Sequence, residues 1–214
     1  MSAAATLAEA LEPLRADPAR AAVLLDIDGT LAPIVRHADD AHVPEPTRAP
    51  LIAVAKRYGV VACVSGRQAA TARRIVALGS IAYVGNHGAE LLLPGGTEVQ
   101  TDSEIAARAQ AAGLKTHWGR KVLEVRPPVS IDKGRGVRRL LAGSGLAAGL
   151  YVGDDLTDLD AFAALRALVE DAQLGMAVCV GVRSEETPAA LEAAADLLVD
   201  GPPGVRALLT TLAE

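Results

Sequence analysis

The sequence predicts an α/β fold: a largely parallel sheet flanked by helices, with a small α+β cap inserted in it. Two observations carry the main prediction. Short runs rich in Val, Leu and Ile alternate with Ala/Leu segments of helical period along most of the 214 residues, and helix ends are legible at Gly59, Gly79 and Thr157. A third observation gives the cap. The alternation breaks once, between residues 89 and 128.

Taken in order, the opening "MSAAATLAEALEPLRADPAR" reads as an amphipathic helix. It lacks a basic n-region and carries Glu9 and Glu12 inside its apolar stretch, so it does not read as a signal peptide. Strands are predicted at 22–25, 60–64, 81–84, 150–152, 177–180 and 196–199. Helices near 47–58, 67–78, 134–142, 157–168 and 188–195 fall between them, and one near 205–212 comes last. The interrupting segment reads "AELLLPGGTEVQ", a hairpin turning at Gly95 and Gly96, then "DSEIAARAQAAG", a helix, then "KTHWGRKVLEVR", a second hairpin turning near Gly119. Such an insert is best read as a small module packed over the first. The chain thus divides into a core, 1–88 and 129–214, and a mini-cap, 89–128.

Half of the composition is hydrophobic, enough for one sizeable core. Twenty-one basic residues against 26 acidic ones leave a net charge of −5, the opposite of a nucleic-acid footprint. No apolar run approaches the ~20 residues that span a bilayer, so a membrane role is not expected and a soluble, cytoplasmic protein acting on small molecules is. The two cysteines, Cys63 and Cys179, each lie in a Val-rich strand and suit reduced core thiols better than a disulfide.

Ligands gather at the carboxyl ends of parallel strands, so the residues just after each strand carry the functional question. Asp26 and Asp28 follow the first strand in "VLLDIDGTLAPI", and Ser65 follows the second in "VSGR". Lys133 opens a helix in "DKG", and Asp154, Asp155 and Asp158 follow a later strand in "YVGDDLTDLDAF". Five carboxylates on one spot would repel one another unless a cation neutralised them. Hard oxygen ligands without His or Cys favour Mg²⁺. A lysine and a serine opposite such an ion can hold the oxygens of a phosphoryl group. Asp26 could then attack phosphorus, dividing one displacement into two easier ones through an aspartyl-phosphate. Asp28, swung round by the Gly29-Thr30 turn, could protonate the leaving oxygen and later take a proton from water.

The pieces "DIDGT", "VSGR", "DKG" and "GDDLTD", in this order, resemble the four motifs of the haloacid dehalogenase (HAD) phosphatase superfamily. Together with "GNHGAE" and "LEVRPPVSIDKGRGV", they are similar to the trehalose-6-phosphate phosphatase family. The resemblance implies a Rossmann-like HAD core, with Asp26 as nucleophile, Asp28 as acid/base, and Ser65 and Lys133 as phosphate ligands. Thr30 and Gly66 join that phosphate-binding set. It also implies Mg²⁺ held by Asp26, the Asp28 carbonyl and Asp154, with Asp155 and Asp158 in support. The activity implied is hydrolysis of a sugar phosphate, trehalose 6-phosphate first among candidates. Another phosphorylated sugar, a phosphotransferase or phosphomutase reaction, and a non-enzymatic phosphosugar sensor stay open.

The insert here is much shorter than is usual in that family. Within it Lys115, Trp118, Arg120 and Lys121 cluster and are the cap residues expected near substrate; in the core, Arg67 and His87 are. Ser65 alone would also suit a helix cap, and His87 a purely local backbone role. A cap this small has an apolar face to cover, so either a homodimer forms through it or the site stays open to several phosphorylated sugars.

Overall fold

The computed structural model describes residues 6–111 and 131–214. Its centre is an eight-stranded sheet in the order β5-β4-β3-β2-β1-β6-β7-β8. These strands are β1 (Ala21–Leu25), β2 (Val60–Val64), β3 (Ala82–Gly85), β4 (Glu90–Leu92), β5 (Gln100–Thr101), β6 (Ala148–Gly153), β7 (Met176–Arg183) and β8 (Leu197–Asp200). The six strands from β3 to β8 in that order are parallel, β4 pairs antiparallel with β3, and β5 pairs antiparallel with β4. The chain builds outward from β1 to β3 on one side, then returns to lay β6 against the other side of β1. That reversal makes the β1/β6 border a topological switch point, where clefts form at the strands' carboxyl ends.

Both faces of the sheet are covered. Along β1, Ala21, Val23 and Leu25 enter one apolar cluster, while Ala22 and Leu24 enter the other, as a period of two requires. The first cluster is closed by α1 (Leu7–Ala16), α2 (Glu45–Arg57), α3 (Ala69–Val76) and α8 (Gly201–Ala213). The second is closed by α5 (Lys133–Leu141), α6 (Asp158–Glu170) and the short α7 (Ala189–Ala194), with Val137, Phe162, Leu165 and Leu191 facing in. The amphipathic opening helix is present as α1, begun by a reciprocal capping box between Thr6 and Glu9. Cys63 and Cys179 are free and buried, as the strand pattern required.

Three expectations change. The first hairpin of the predicted cap belongs to the core sheet: β4 pairs with β3 and β5 with β4. Its apolar residues are covered there, Leu91 in one cluster and Leu92 in the other, so the hairpin is an edge of the sheet and not the start of a separate layer. Within the remainder of the expected cap, α4 (Ser103–Ala111) is a helix as predicted, and the second hairpin lies outside the described residues. Helix closure also differs. α3 ends on Ala77 in a left-handed conformation (φ 55), whose N–H already satisfies the Arg73 carbonyl, so Gly79 is not the cap. Thr157 sits in helical conformation and donates its hydroxyl to Asp155 instead of capping α6.

Candidate active site

β1 and β6 run side by side with Leu25 opposite Val152, and the Asp26 N–H extends this ladder to the Val152 carbonyl at 2.8 Å. Asp26 therefore leaves β1 beside the point where Asp154 leaves β6. Gly29 lets the chain turn across that point. It has φ +83, and a Cβ there would collide with the Asp154 carboxylate. Thr30, fully buried, donates its hydroxyl to Asp154 Oδ1 at 3.4 Å.

Lys133, the first residue of α5, reaches into the site and is only 3 % exposed. Its Nζ donates to Asp26 Oδ1 at 2.8 Å and to Asp158 Oδ1 at 2.6 Å, and Asp155 lies 4.0 Å away. Burial works against the ammonium charge, but Asp26 and Asp158 outweigh it and hold the pKa above that of an ordinary lysine. Burial pushes the Asp26 carboxyl well above the usual range, and Lys133 opposes that rise. Asp154 is pushed up to about 6 by burial, with Asp158 and Asp155 adding repulsion. The cluster holds more negative charge than one lysine offsets.

Asp158 is the hub. Its Oδ1 accepts from Lys133 and from the Tyr151 hydroxyl at 2.7 Å, and its Oδ2 accepts from the Asp154 and Asp155 N–H groups at 2.9 and 3.0 Å. Four donors saturate one carboxylate. Asp155 turns instead to Thr157, accepting from both its N–H and its hydroxyl. Asp26, Asp154 and Asp158 each place an oxygen within 4.8 Å of the others. With Asp158 saturated by its four donors, Asp26 and Asp154 are the members of this acidic group that could hold a divalent metal ion, with Asp158 supporting them.

Asp28 does not join that cluster. Both of its oxygens accept from Arg67, whose Nε and Nη2 lie 2.7 Å away, while Arg67 Nη1 reaches the Ala38 carbonyl at 3.1 Å. Ser65, at the end of β2, is buried, and its Oγ accepts from the Arg67 N–H at 3.1 Å. The His87 ring lies against Gly66: a Cβ on that glycine would stand 2.7 Å from the ring. Beside these groups opens a cleft of about 460 Å³ lined by Asp28, Arg67, Asp154 and Asp155 together with Ile34, Arg36, Ser184 and Glu186. The last three polar residues were not anticipated. Ser184 and Glu186 follow β7, which runs to Arg183, three residues beyond the predicted end at 180, so the strand-end rule pointed at residues still inside the strand. Tyr151 was missed because a strand tyrosine inside an apolar run reads as core. Lys115, Trp118, Arg120 and Lys121 lie outside the described residues.

A model of the trehalose-phosphatase family matches residues 24–118 and 105–194, stretches that contain every core motif residue named above. The chain belongs to the trehalose-phosphatase family. Among relatives, it is 31 % identical to the trehalose-phosphate phosphatase of Mycobacterium avium (strain 104) over 201 aligned residues, covering 68 % of this chain and 51 % of that protein. It is 32 % identical to probable trehalose-phosphate phosphatase 4 of Oryza sativa subsp. japonica over 203 residues, covering 67 % and 55 %. The chain spans about half the length of these curated relatives. The C-terminal domain of C. albicans trehalose-6-phosphate phosphatase shares the fold, with a TM-score of 0.74 at 18 % identity over 100 % of this chain and 98 % of that one. A haloacid dehalogenase-like hydrolase from Bacteroides thetaiotaomicron does so as well, with a TM-score of 0.60. The Rossmann-like HAD core expected of a trehalose-phosphatase family member is the fold observed.

Proposed function

We propose that the chain is an Mg²⁺-dependent phosphatase that hydrolyses a sugar phosphate through an aspartyl-phosphate, with trehalose 6-phosphate its foremost substrate. One observation carries this reading: the buried Asp26 carboxylate is held by the Lys133 ammonium, beside Asp154 and next to an open cleft. Family membership and the relatives' names favour trehalose 6-phosphate. The two buried free thiols suit a reducing, cytoplasmic setting, and among the described residues no helix is long and apolar enough to cross a membrane.

In this reading an Asp26 oxygen attacks phosphorus as the bond from phosphorus to the sugar oxygen breaks. Asp28 gives that oxygen its proton and then receives one from the water that attacks the aspartyl-phosphate, freeing inorganic phosphate and restoring Asp26. To do so Asp28 must exchange its pairing with Arg67 for the leaving group, and an entering anionic substrate gives Arg67 another partner. Lys133 and Ser65 hold phosphoryl oxygens, with Lys133 already oriented by Asp158. Asp26, Asp154 and the Asp28 carbonyl would hold Mg²⁺, which when bound offsets charge on the acids and the phosphoryl group. Lys115, Trp118, Arg120 and Lys121 are assigned to the sugar end.

Phosphate release from trehalose 6-phosphate and a panel of other sugar phosphates tests the function. Asp26→Asn should abolish release while leaving the fold intact, because the amide keeps the shape but is a poor nucleophile. Substantial Mg²⁺-dependent turnover by the folded Asp26→Asn protein would sink the covalent route. Turnover of other sugar phosphates in preference to trehalose 6-phosphate would change the substrate and keep the reaction.

A further inference from the structure

The turn "GNHGAE" carries a buried acid that the proposed chemistry leaves unused. Glu90 opens β4 and is 2 % exposed. Its Oε2 accepts from the Ala69 N–H at the start of α3, at 2.8 Å, and its Oε1 accepts from Asn86 Nδ2 at 2.7 Å. Burying a carboxylate is costly unless its bonds are made, and burial does push the Glu90 carboxyl upward in pKa. Capping α3 alone would not demand this, since a local side chain caps most helices. Gln68, the residue at the cap position, makes no side-chain cap bond, and the helix is held from 21 residues away.

The rest of the turn grips the same loop. The Asn86 N–H donates to the Arg67 carbonyl at 2.8 Å and the His87 N–H to the Ser65 carbonyl at 3.2 Å. Both donors sit on left-handed backbone, at φ 47 and 54, which aims consecutive N–H groups at one strand end. On the opposite side Gly88 touches the helix that carries Lys133. A Cβ there would collide with the Asp132 carbonyl and stand 2.9 Å from the Gly136 nitrogen. The turn is thus wedged between the Ser65–Gly66–Arg67 loop and the Lys133 helix.

We propose that Glu90 is a positioning residue that, through Ala69 and Asn86, fixes the Ser65–Gly66–Arg67 loop relative to Lys133 so that the two sides can share one phosphoryl group. This deepens the phosphatase reading above and rests on it. Ser65 touches the phosphate; Glu90 acts only through the loop. The ligands proposed for the metal, Asp26, the Asp28 carbonyl and Asp154, follow β1 and β6, and the Glu90 bonds to Ala69 and Asn86 reach none of them, so metal binding is expected to be affected far less than phosphate binding.

The test compares wild type, Glu90→Ala, Glu90→Gln and Asn86→Gly, the last keeping the left-handed backbone while deleting the amide. Inorganic phosphate is titrated calorimetrically in Mg²⁺, and KM and kcat are measured with 4-nitrophenyl phosphate, alongside the Mg²⁺ activation constant. Glu90→Ala should weaken phosphate binding and raise KM about 10- to 100-fold, as small misplacements of positioning groups do, with the Mg²⁺ constant changed far less. Glu90→Gln should recover most of the loss, because its carbonyl oxygen accepts from Ala69 while the Asn86 amide turns to meet its NH₂. Asn86→Gly should shift the same constants in the same direction, and it carries the test if Glu90→Ala does not fold. Phosphate binding at wild-type strength in the folded variants overturns the proposal, as does an equal loss of Mg²⁺ affinity, which would mean general damage. A wild type that releases no phosphate sinks the phosphatase reading, whereas the calorimetric comparison still decides for or against Glu90.

Discussion

Tyr151 and Asp158 show how one buried side chain fixes several others. The Tyr151 hydroxyl supplies one of the four bonds that saturate Asp158, while its ring packs edge-on against Phe162 at 5.9 Å. Tyr151→Phe keeps the ring and removes only the donor. Hydrogen bonds to charged groups contribute ~1.5–3 kcal/mol, so the variant should lose stability of that order in denaturant titrations. Turnover should fall too, because Asp158 orients Lys133 and the Asp154–Asp155 backbone together. A variant as stable and active as wild type would mean that Asp158 is held well enough by its other three donors. The Asp28–Arg67 pair is the second decision made at this scale. Both oxygens of Asp28, the expected acid/base, are engaged by one guanidinium, so the proposed proton transfer would require that pairing to open first.

Among elements, the approach to 112–130 is tied to the Lys133 helix by a small polar knot. Asp102 caps α4 by accepting from the Glu104 and Ile105 N–H groups, and it also receives both Nε and Nη2 of Arg135 at 3.0 and 2.9 Å. The Arg135 bonds, chiefly, hold the Asp102 carboxyl below its usual pKa. Asn caps a helix about as well as Asp. Asp102→Asn therefore isolates the Arg135 pair, and it should cost ~1–3 kcal/mol at neutral pH. A depressed carboxyl contributes its full stability above its ordinary value of 3.8 and loses it as pH falls through the folded-state value. The gap between wild type and Asp102→Asn should thus hold at neutral pH and narrow only as pH drops below that ordinary value. A gap that persists undiminished in acid would assign the effect to packing.

For the molecule as a whole, the parallel sheet brings more negative charge to its carboxyl edge than Lys133 offsets. Asp26 and Asp154 both have raised pKa values, burial being the largest cause. A divalent ion bound there should stabilise the folded protein by RT ln(1 + [L]/Kd), about 2.7 kcal/mol at a hundred times Kd. At this chain length that is a rise in Tm of roughly 5–10 °C. Asp154→Asn removes one of the repelling charges, so in chelator it should melt no lower than wild type, and Mg²⁺ should barely raise its Tm. Equal Mg²⁺ shifts in the two proteins would place the ion elsewhere.

Much of this was legible from residues alone. Strand and helix periods are local, and so is the rule that chemistry sits just past a parallel strand; hence Asp26, Ser65, Lys133 and Asp154 could be singled out with no partner in view. The GG turn of "LLLPGGTEVQ" was equally local, and its hairpin was foreseen. Where that hairpin would dock was not, because Leu91 and Leu92 need cover on two faces and an apolar pattern does not say whose surface supplies it. Partners were hidden for the same reason. Asp28 meets Arg67 39 residues on, Asp158 meets Lys133 25 residues back, and Glu90 caps a helix begun 21 residues earlier. The sequence by itself determined the fold class and the acids, lysine and serine of the site, since those follow from short-range periodicity and side-chain chemistry. Only the tertiary structure decided which carboxylates face each other, which is saturated and which is paired with an arginine, because a hydrogen bond selects its partner by a few tenths of an ångström in space and not by distance along the chain.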